Sequence, residues 1–335
     1  MNRIRLLFVL SMLMTSHSVL FAQPPKVRVF EFKIPRPKPE PVQQRWRVGV
    51  IITANKGSAS GIRATVPVPM DWPEQKVLVA KTDKSKNVGK VSFQTVNGGA
   101  RQMVVSIGRL RTGESARAVV TLESKTEPVA GPENPEEFQF AKSSTKLRPL
   151  LVPSPLIESK HVKVVEVAEK IVDGTHTPWQ QVRSIFDWVR KNVKYRQVEN
   201  TSERYLAKDE AAMKGAVAVL EDRFGDCDEM TSLFVAICRA REIPARAVWV
   251  IGHSYPEFYL EDAAGRGHWI PCQIAGGNDD FGRMPDPKPI MQKGEGFRVP
   301  GERDLCRYLR PSLTVRRADA APKFEVVLDR VAAEE

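Results

Sequence analysis

Cysteine and histidine are both scarce in this chain of 335 residues, which holds four of the first and five of the second. Four cysteines in a chain of this length do not make a disulfide framework, which excludes the small disulfide-stabilised exported domains. Cys272 and Cys306 nevertheless stay open as one candidate disulfide pair in an oxidising compartment. The small histidine count leaves few side chains that can transfer protons near neutral pH.

Long apolar runs are also missing, except at the N-terminus. There Arg3 and Arg5 precede the apolar stretch Leu6–Leu10, and a small residue, Ala22, stands before a polar one. This order predicts a secretion signal over residues 1–22, cleaved after Ala22, and therefore an exported protein, periplasmic or secreted. An uncleaved anchor is the alternative, although the apolar run is short for a membrane span. No cysteine follows it, which argues against lipid anchoring.

No cluster of basic residues is interleaved with aromatic residues, although the net charge is +11. The pattern therefore does not predict nucleic-acid binding, and the excess charge is interpreted as charge that favours solubility. Hydrophobic residues make up 42% and charged residues 27% of the chain. Those fractions are typical of globular domains, and the length suggests two of them.

The chain divides by composition and periodicity into successive segments. Residues 23–45 hold six prolines and are predicted to be an extended spacer. Residues 46–150 contain short alternating apolar runs separated by turns, which predict an antiparallel β-sandwich of about seven strands and a linker. Pro67 and Pro69 indicate that its second strand lies at an edge or ends early. Residues 151–320 are predicted to form an α+β domain, and residues 321–335 a C-terminal tail.

Helical periodicity and capping signals dominate the α+β segment. Helices are predicted over 161–172, from Thr177 as N-cap with Pro178 following, over 211–220 and over 226–242. Strands are predicted over 246–252, 257–260 and 267–274. Residues 276–320 show little periodicity. Tyr195, just after the second helix, is interpreted as a core residue.

The fourth predicted helix carries the clearest chemical signal. Gly225 permits a tight, left-handed entry, and Cys227 lies in the first turn on the apolar stripe of the helix. Unbonded N–H groups and the positive end of the helix dipole lie there, which favours a thiolate and can stabilise an oxyanion. Asp228 and Glu229 suit a helix start, and helical spacing directs them away from the Cys227 face.

A thiolate nucleophile needs a general base, and His253 is the best placed histidine. It ends the strand that follows the Cys227 helix, and a strand returning antiparallel to the helix brings its far end back to the helix start. About 15 helical residues at 1.5 Å match seven strand residues at 3.3 Å in reach. Glu257 and Tyr259, further along, are either flanking residues of the site or ordinary strand residues.

Several segments together resemble the transglutaminase-like superfamily. They are Gly225–Glu229, the helix Leu233–Ala240, Ile243–Arg246, the histidine segment His253–Leu260, and Trp269–Pro271. The resemblance implies a papain-like fold, an exported bacterial-type member with an N-terminal β-sandwich, Cys227 as nucleophile and His253 as general base and acid. The family has Asp at the third catalytic position, where this chain has Gln273. A neutral amide still orients the imidazole through its carbonyl oxygen but stabilises its charged form less, so we expect slower chemistry.

The candidate catalytic residues are therefore Cys227, His253 and Gln273, and the expected reaction is acyl transfer through a thioester at Cys227. Hydrolysis of peptide or side-chain amides is the favoured outcome, and protein cross-linking and a non-catalytic binding module are the alternatives. A zinc site of Cys227, His253, His268 and Cys272 is disfavoured because the ligands lack close paired spacing. No cofactor is expected, calcium-loop patterns are not found, and the expected partner is a protein or peptide substrate.

Overall fold

A computed structural model describes residues 40–97, 99–196, 213–299 and 303–332, all of which belong to the unit Lys38–Glu335. The predicted secretion signal over 1–22 and nearly all of the predicted spacer over 23–45 lie outside these residues. No helix in the described ranges is long and apolar enough to cross a membrane.

Antiparallel strands form the N-terminal part of the fold. The first six are β1 (Val42–Thr53), β2 (Ala59–Val68), β3 (Gln75–Lys84), β4 (Val88–Val96), β5 (Ala100–Leu110) and β6 (Ser115–Thr126). Their alternating apolar residues point into one shared core between two sheets, as the sequence pattern predicts. Val48, Ile52, Val105 and Leu122 are among the fully buried members of this core.

The C-terminal residues return to complete this sandwich. Strand β13 (Ser312–Ala318) pairs with β2, and β14 (Lys323–Val331) pairs with β1 along nine positions. The predicted tail over 321–335 is therefore wrong for residues 323–331, which form a strand of the N-terminal sheet. Their partly buried Phe324, Val326 and Leu328 pack on the sandwich core, because alternate residues of β14 face it.

The two parts of the chain share one sheet. The first sheet has the order β14-β1-β6-β3, and the second has the order β11-β10-β9-β12-β5-β2-β13, with β4 also paired to β5. In it β9 is Ala245–Val250, β10 is His253–Glu261, β11 is Gly267–Pro271 and β12 is Ile290–Lys293. Strand β12 joins the halves, because it pairs with β9 on one side and with Ala100 of β5 on the other.

In the ranges that the structure describes, four α-helices belong to the C-terminal half of the fold. They are α1 (Val162–Val172), α2 (Pro178–Asn192), α3 (Ala216–Asp222) and α4 (Cys227–Ala240). Two short parallel strands, β7 (Lys194–Tyr195) and β8 (Phe224–Gly225), stand beside them. Helix α4 packs against β9 and β10 on one side and against the other three helices elsewhere. This placement buries every residue from Cys227 to Arg239.

Most predicted elements match the observed ones to within a few residues. Thr177 caps α2 as expected, accepting the Gln180 N–H at 3.2 Å, with Pro178 in the first turn. Strand β2 ends at Val68, as its prolines indicate, although it is a central strand. Pro67 is tolerated because β13 pairs with β2 only as far as Thr65, so a single neighbour flanks the proline.

Candidate active site

The first turn of α4 is fixed by a capping box. Asp226 Oδ1 accepts the backbone N–H groups of Asp228 at 2.9 Å and Glu229 at 3.4 Å, and Glu229 Oε2 accepts the Asp226 N–H at 2.8 Å. Gly225 does not adopt a left-handed conformation, contrary to the sequence prediction. A Cβ there would instead lie 2.8 Å from the Glu229 Cβ, so glycine permits the close approach that closes the box.

Cys227 is the first residue of this helix and only 3% exposed. Its thiol lies 3.6 Å from Asp228 Oδ1, the same oxygen that accepts a 2.7 Å hydrogen bond from Ser254 Oγ. The prediction that Asp228 points away from the cysteine is therefore wrong. Because Asp228 and Ser254 are bonded, the chain segments that carry Cys227 and His253 meet at this point.

His253 begins β10 directly after a tight turn from β9. Gly252 occupies that turn with φ of 71°, a left-handed conformation that favours glycine. The histidine is half-buried, and its Nε2 lies 2.8 Å from Gln273 Oε1. The structure thus brings together two of the three predicted site residues in direct contact.

The second polar atom of the Gln273 side chain sets its orientation. Gln273 Nε2 donates to Met284 Sδ at 3.3 Å, so the carbonyl oxygen faces the imidazole. A carbonyl oxygen only accepts, and the histidine must then donate from Nε2. In the neutral ring this places the basic lone pair on Nδ1, which is the tautomer needed for proton transfer at the other side of the ring.

His253 and Gln273 line a cleft of about 680 Å³. Its other walls come from the loop over 275–280, the segment over 284–288, and Tyr195. Tyr195 is 50% exposed, which contradicts its interpretation as a core residue. Its strand β7 pairs with β8, immediately before the cysteine helix, and this long-range pairing carries no local sequence signal.

Two of the backbone N–H groups in the first turn of α4 already donate hydrogen bonds. Those of Asp228 and Glu229 donate to Asp226. The predicted role of the helix-start N–H groups in holding an oxyanion is therefore wrong for these two. The dipole of α4 still directs its positive end towards the first turn.

The strand register separates the ligands of the disfavoured zinc site. His268 pairs with Leu260 on β10, seven residues from His253, or about 23 Å at the rise of a β-strand. The imidazole of His268 bonds Asp262 at 3.0 Å instead. Asp226, Cys227 and Asp228 also lie close enough together to share a cation. However, both carboxylates are already engaged in capping the helix and in accepting from Ser254.

No disulfide joins the remaining cysteines, all of which lie in the described residues. Burial raises the pKa of the Cys238 thiol and of the Cys272 thiol, which keeps both protonated near neutral pH. The candidate disulfide between Cys272 and Cys306 is not formed. Cys272 is fully buried in the helical core, whereas the backbone of Cys306 forms an isolated β-bridge with Phe297. Glu257 does not flank the cleft but pairs with Arg246 and Lys293.

A cysteine in the first turn of a buried helix lies on a segment that is hydrogen-bonded to the segment of a histidine, whose ring contacts a side-chain amide. These residue types are the ones that cysteine-dependent acyl transfer uses. Residues 165–274 match the sequence profile of the transglutaminase-like superfamily. This segment, from α1 to just beyond Gln273, is therefore a transglutaminase-like domain, as the motifs predicted. No curated protein matches the chain.

Several solved structures are similar to the chain. The crystal structure of a "putative cysteine protease" from Cytophaga hutchinsonii has a TM-score of 0.55 and 17% identity, covering 88% of this chain and 94% of that one. At this identity the likeness shows the fold, here including the N-terminal sheets. The structure of a "putative protease" from Parabacteroides distasonis has a TM-score of 0.30 and 13% identity, covering 70% of this chain and 47% of that one.

Proposed function

We propose that this protein is a cysteine-dependent amide hydrolase that acts on peptide substrates through an acyl-thioester at Cys227. The single observation that carries the proposal is the junction of α4 and β10. There the Asp228–Ser254 hydrogen bond joins the segments of Cys227 and His253, while Gln273 orients the imidazole at a cleft. The proposed nucleophile, base and orienting group come from α4, from β10 and from the segment after β11, and the meeting of the first two supports the proposal.

The reaction proceeds in two steps, formation of the thioester and its hydrolysis. The Cys227 thiolate attacks the amide carbonyl carbon, forming a C–S bond, and the C–N bond breaks as the His253 imidazolium gives its proton to the departing amine. His253 then takes a proton from water, whose oxygen attacks the thioester. The C–S bond breaks, the carboxylic acid leaves, and the Cys227 thiolate and the His253 imidazolium are restored. Gln273 holds the ring through Nε2, so that Nδ1 exchanges the protons.

Hydrolysis is favoured over cross-linking because the Cytophaga hutchinsonii protein, which has a similar fold, carries the name "putative cysteine protease". The two outcomes use the same first step and differ only in whether water or an amine attacks the thioester. Products therefore distinguish them. Incubated with a peptide mixture, the protein should generate new amino termini, whereas a cross-linking enzyme would generate isopeptide bonds.

The first test is the alkylation rate of each cysteine by iodoacetamide across pH, read by mass spectrometry. We expect Cys227 to react below pH 7, well under the pKa of about 8.5 of an ordinary thiol. The reaction should be lost in Cys227→Ser and strongly slowed in His253→Ala. Cys238 and Cys272 serve as internal controls, because the raised pKa of each thiol keeps it protonated in the folded protein. Ordinary thiol behaviour at Cys227 would instead indicate a non-catalytic binding module.

We also propose that the protein is exported, on the sequence pattern of residues 1–22. Expression with the intact N-terminus should yield a mature chain beginning at Gln23 in the periplasmic or extracellular fraction. A chain that retains Met1 in the membrane fraction would indicate the uncleaved anchor.

A further inference from the structure

Arg307 lies under the first turn of α4, although it comes from well beyond the segment that matches the transglutaminase-like profile. Its side chain is fully buried. The Nη2 group donates to Ser232 Oγ at 2.5 Å and to the Asp228 carbonyl oxygen at 3.3 Å, and Nη1 donates to the Pro155 carbonyl oxygen at 3.1 Å. One guanidinium therefore ties α4 to the loop that precedes α1.

The residues around Arg307 hold it in place. Tyr308 packs on Trp249 of β9 with ring centroids 4.9 Å apart, and the Arg307 guanidinium lies 5.2 Å from the same indole ring. Leu309 exchanges two hydrogen bonds with the side chain of Gln292 on β12. The backbone on the C-terminal side of Arg307 is thus fixed to two strands of the central sheet, and the guanidinium has little freedom to move.

The contacts of Arg307 lead directly to the nucleophile. Ser232 Oγ also donates to the Asp228 carbonyl oxygen, at 2.7 Å, so Arg307 and Ser232 together fix the Asp228 peptide. The Asp228 carboxylate in turn contacts the Cys227 thiol at 3.6 Å and Ser254 at 2.7 Å. By fixing the Asp228 peptide, Arg307 helps to set the position of the Asp228 carboxylate, which lies between the cysteine and histidine segments.

The negative charge of the first turn of α4 is a second reason for a cation at the position of Arg307. Asp226, Asp228 and Glu229 are all buried in or next to the first turn, and a carboxylate beside a sulfur opposes its ionisation. A buried guanidinium is costly to desolvate unless it is bonded and its charge is balanced. Arg307 donates to the Asp228 carbonyl oxygen, so its positive charge lies close to this acidic turn.

We propose that Arg307 is a positioning residue for the nucleophile, which fixes the Asp228 peptide and balances the buried acids of the first turn so that Cys227 can react as a thiolate. The proposal deepens the proposed function and rests on it. Lysine at this position would keep the charge but could not reproduce the forked hydrogen bonds of the guanidinium. Methionine would remove both.

The test compares Arg307→Lys, Arg307→Met and a matched control, Arg239→Lys, by the rate of Cys227 alkylation with iodoacetamide from pH 5 to pH 9. Arg239 lies in the last turn of the same helix, is equally buried, and pairs with Glu295. Folded fractions are measured by circular dichroism and urea unfolding, and rates are compared between folded molecules only. Ser232→Ala, a smaller change to the same hydrogen bonds, decides the matter if neither Arg307 variant folds.

We expect Arg307→Lys to slow alkylation by about tenfold at every pH, since hydrogen bonds from a charged group are lost. Arg307→Met should also move the pH profile upwards, and Arg239→Lys should lower stability without changing the rate. Ser232→Ala should slow the reaction less than Arg307→Lys does. Wild-type rates in the folded Arg307 variants, or in Ser232→Ala if it alone folds, would overturn the role of Arg307. A slow wild-type reaction would instead overturn the proposed function.

Discussion

Gln273 makes a hydrogen bond with each of its polar groups. Besides the side-chain contacts with His253 and Met284, its backbone N–H donates to the Asp280 carbonyl oxygen and its own carbonyl accepts from Arg190 Nη1, both at 3.0 Å. These contacts leave the side chain a single orientation, with its oxygen towards the imidazole. A rigid neutral acceptor orients the ring, but it offers no charge to stabilise the imidazolium.

This predicts opposite effects for two substitutions at Gln273. Gln273→Glu, which keeps the length of the side chain, should stabilise the imidazolium and with it the Cys227 thiolate, so fast alkylation should extend to lower pH. Gln273→Ala should slow alkylation about tenfold to a hundredfold, because a hydrogen bond to a charged ring is lost. The measurement is the pH profile of iodoacetamide labelling. Unchanged profiles in both variants would show that the amide does not act on the histidine.

Glu257 is an acidic side chain whose pKa is set by its neighbours. Burial alone would raise its pKa, but the nearby charges of Arg246 and Lys293 outweigh burial, and the pKa of this carboxyl is lowered. Lys293 also pairs with Glu74, which precedes β3, so the cluster connects the sandwich to β10 and β12. Because its folded pKa is lowered, Glu257 contributes stability above its unfolded pKa, and that contribution is lost as the pH falls through the folded pKa.

Replacing Lys293 should therefore have a pH-dependent cost. Lys293→Met should destabilise the fold by about 3–5 kcal/mol at pH 7, because it leaves buried carboxylates short of a cation. The loss should be smaller near pH 4, where Glu257 in the variant takes up a proton. Urea unfolding at both pH values measures the difference. Lys323→Met, at an exposed pair with Glu325, is the control and should change stability by less than about 1 kcal/mol. An equal loss at both pH values would contradict this account.

At the scale of single elements, α4 is unusual because it is buried on all sides while its N-cap and first turn hold three acidic residues. Its apolar stripe predicted one buried face, from Met230 to Cys238. The structure buries the remaining faces as well, since helices pack on the side away from the sheet. Ser232 and Arg239 are satisfied by hydrogen bonds within the fold, and the capping box supplies those of the first turn, whereas the buried Thr231 hydroxyl has no partner among the described residues.

The cap of α4 should consequently matter more than a less buried cap. Asp226→Ala should reduce the free energy of unfolding by about 2 kcal/mol, whereas Thr177→Ala at the half-buried cap of α2 should cost about 1 kcal/mol. Asp226→Asn retains an acceptor oxygen and serves as the matched control. Thermal or urea unfolding compares the three variants. Equal losses for Asp226→Ala and Thr177→Ala would mean that burial adds nothing to the cap.

At the scale of the whole molecule, the two halves depend on each other for completion. The N-terminal sandwich takes β13 and β14 from the far end of the chain, and β12 connects the sheet of the transglutaminase-like region to β5. Gln75, almost fully buried, reinforces this junction by donating to the Ile290 carbonyl oxygen at 2.9 Å. The sandwich is thus a structural part of the sheet that carries His253.

Truncation tests this interdependence. A chain that ends after Pro311 lacks β13 and β14, so the apolar edges of β1 and β2 lose their partners and the protein should be insoluble or lack a cooperative unfolding transition. A chain that ends after Ala332 keeps both strands and should match the full chain in solubility and urea midpoint. Cooperative unfolding of the shorter chain, with Cys227 still reactive, would show that the two halves are independent.

Local sequence determined the individual elements of this protein. Alternation predicted the sandwich strands, the Thr177-Pro178 pair predicted the start of α2, and Gly225–Glu229 predicted the start of the cysteine helix. Strand β12 escaped prediction because four residues buried on both faces show no periodicity. The candidate triad of Cys227, His253 and Gln273 was found by resemblance, since spacing alone did not identify a partner for the histidine.

Only the tertiary structure decided which distant residues meet. Arg307 contacts the Asp228 carbonyl oxygen across 79 positions of sequence, and β14 pairs with β1 from the opposite end of the chain. Tyr195 reaches the cleft through a two-residue strand. Periodicity and capping report the local backbone and the face that is buried, because they arise from contacts a few residues apart. They carry no information about the partner that buries that face, which depends on how all elements pack together.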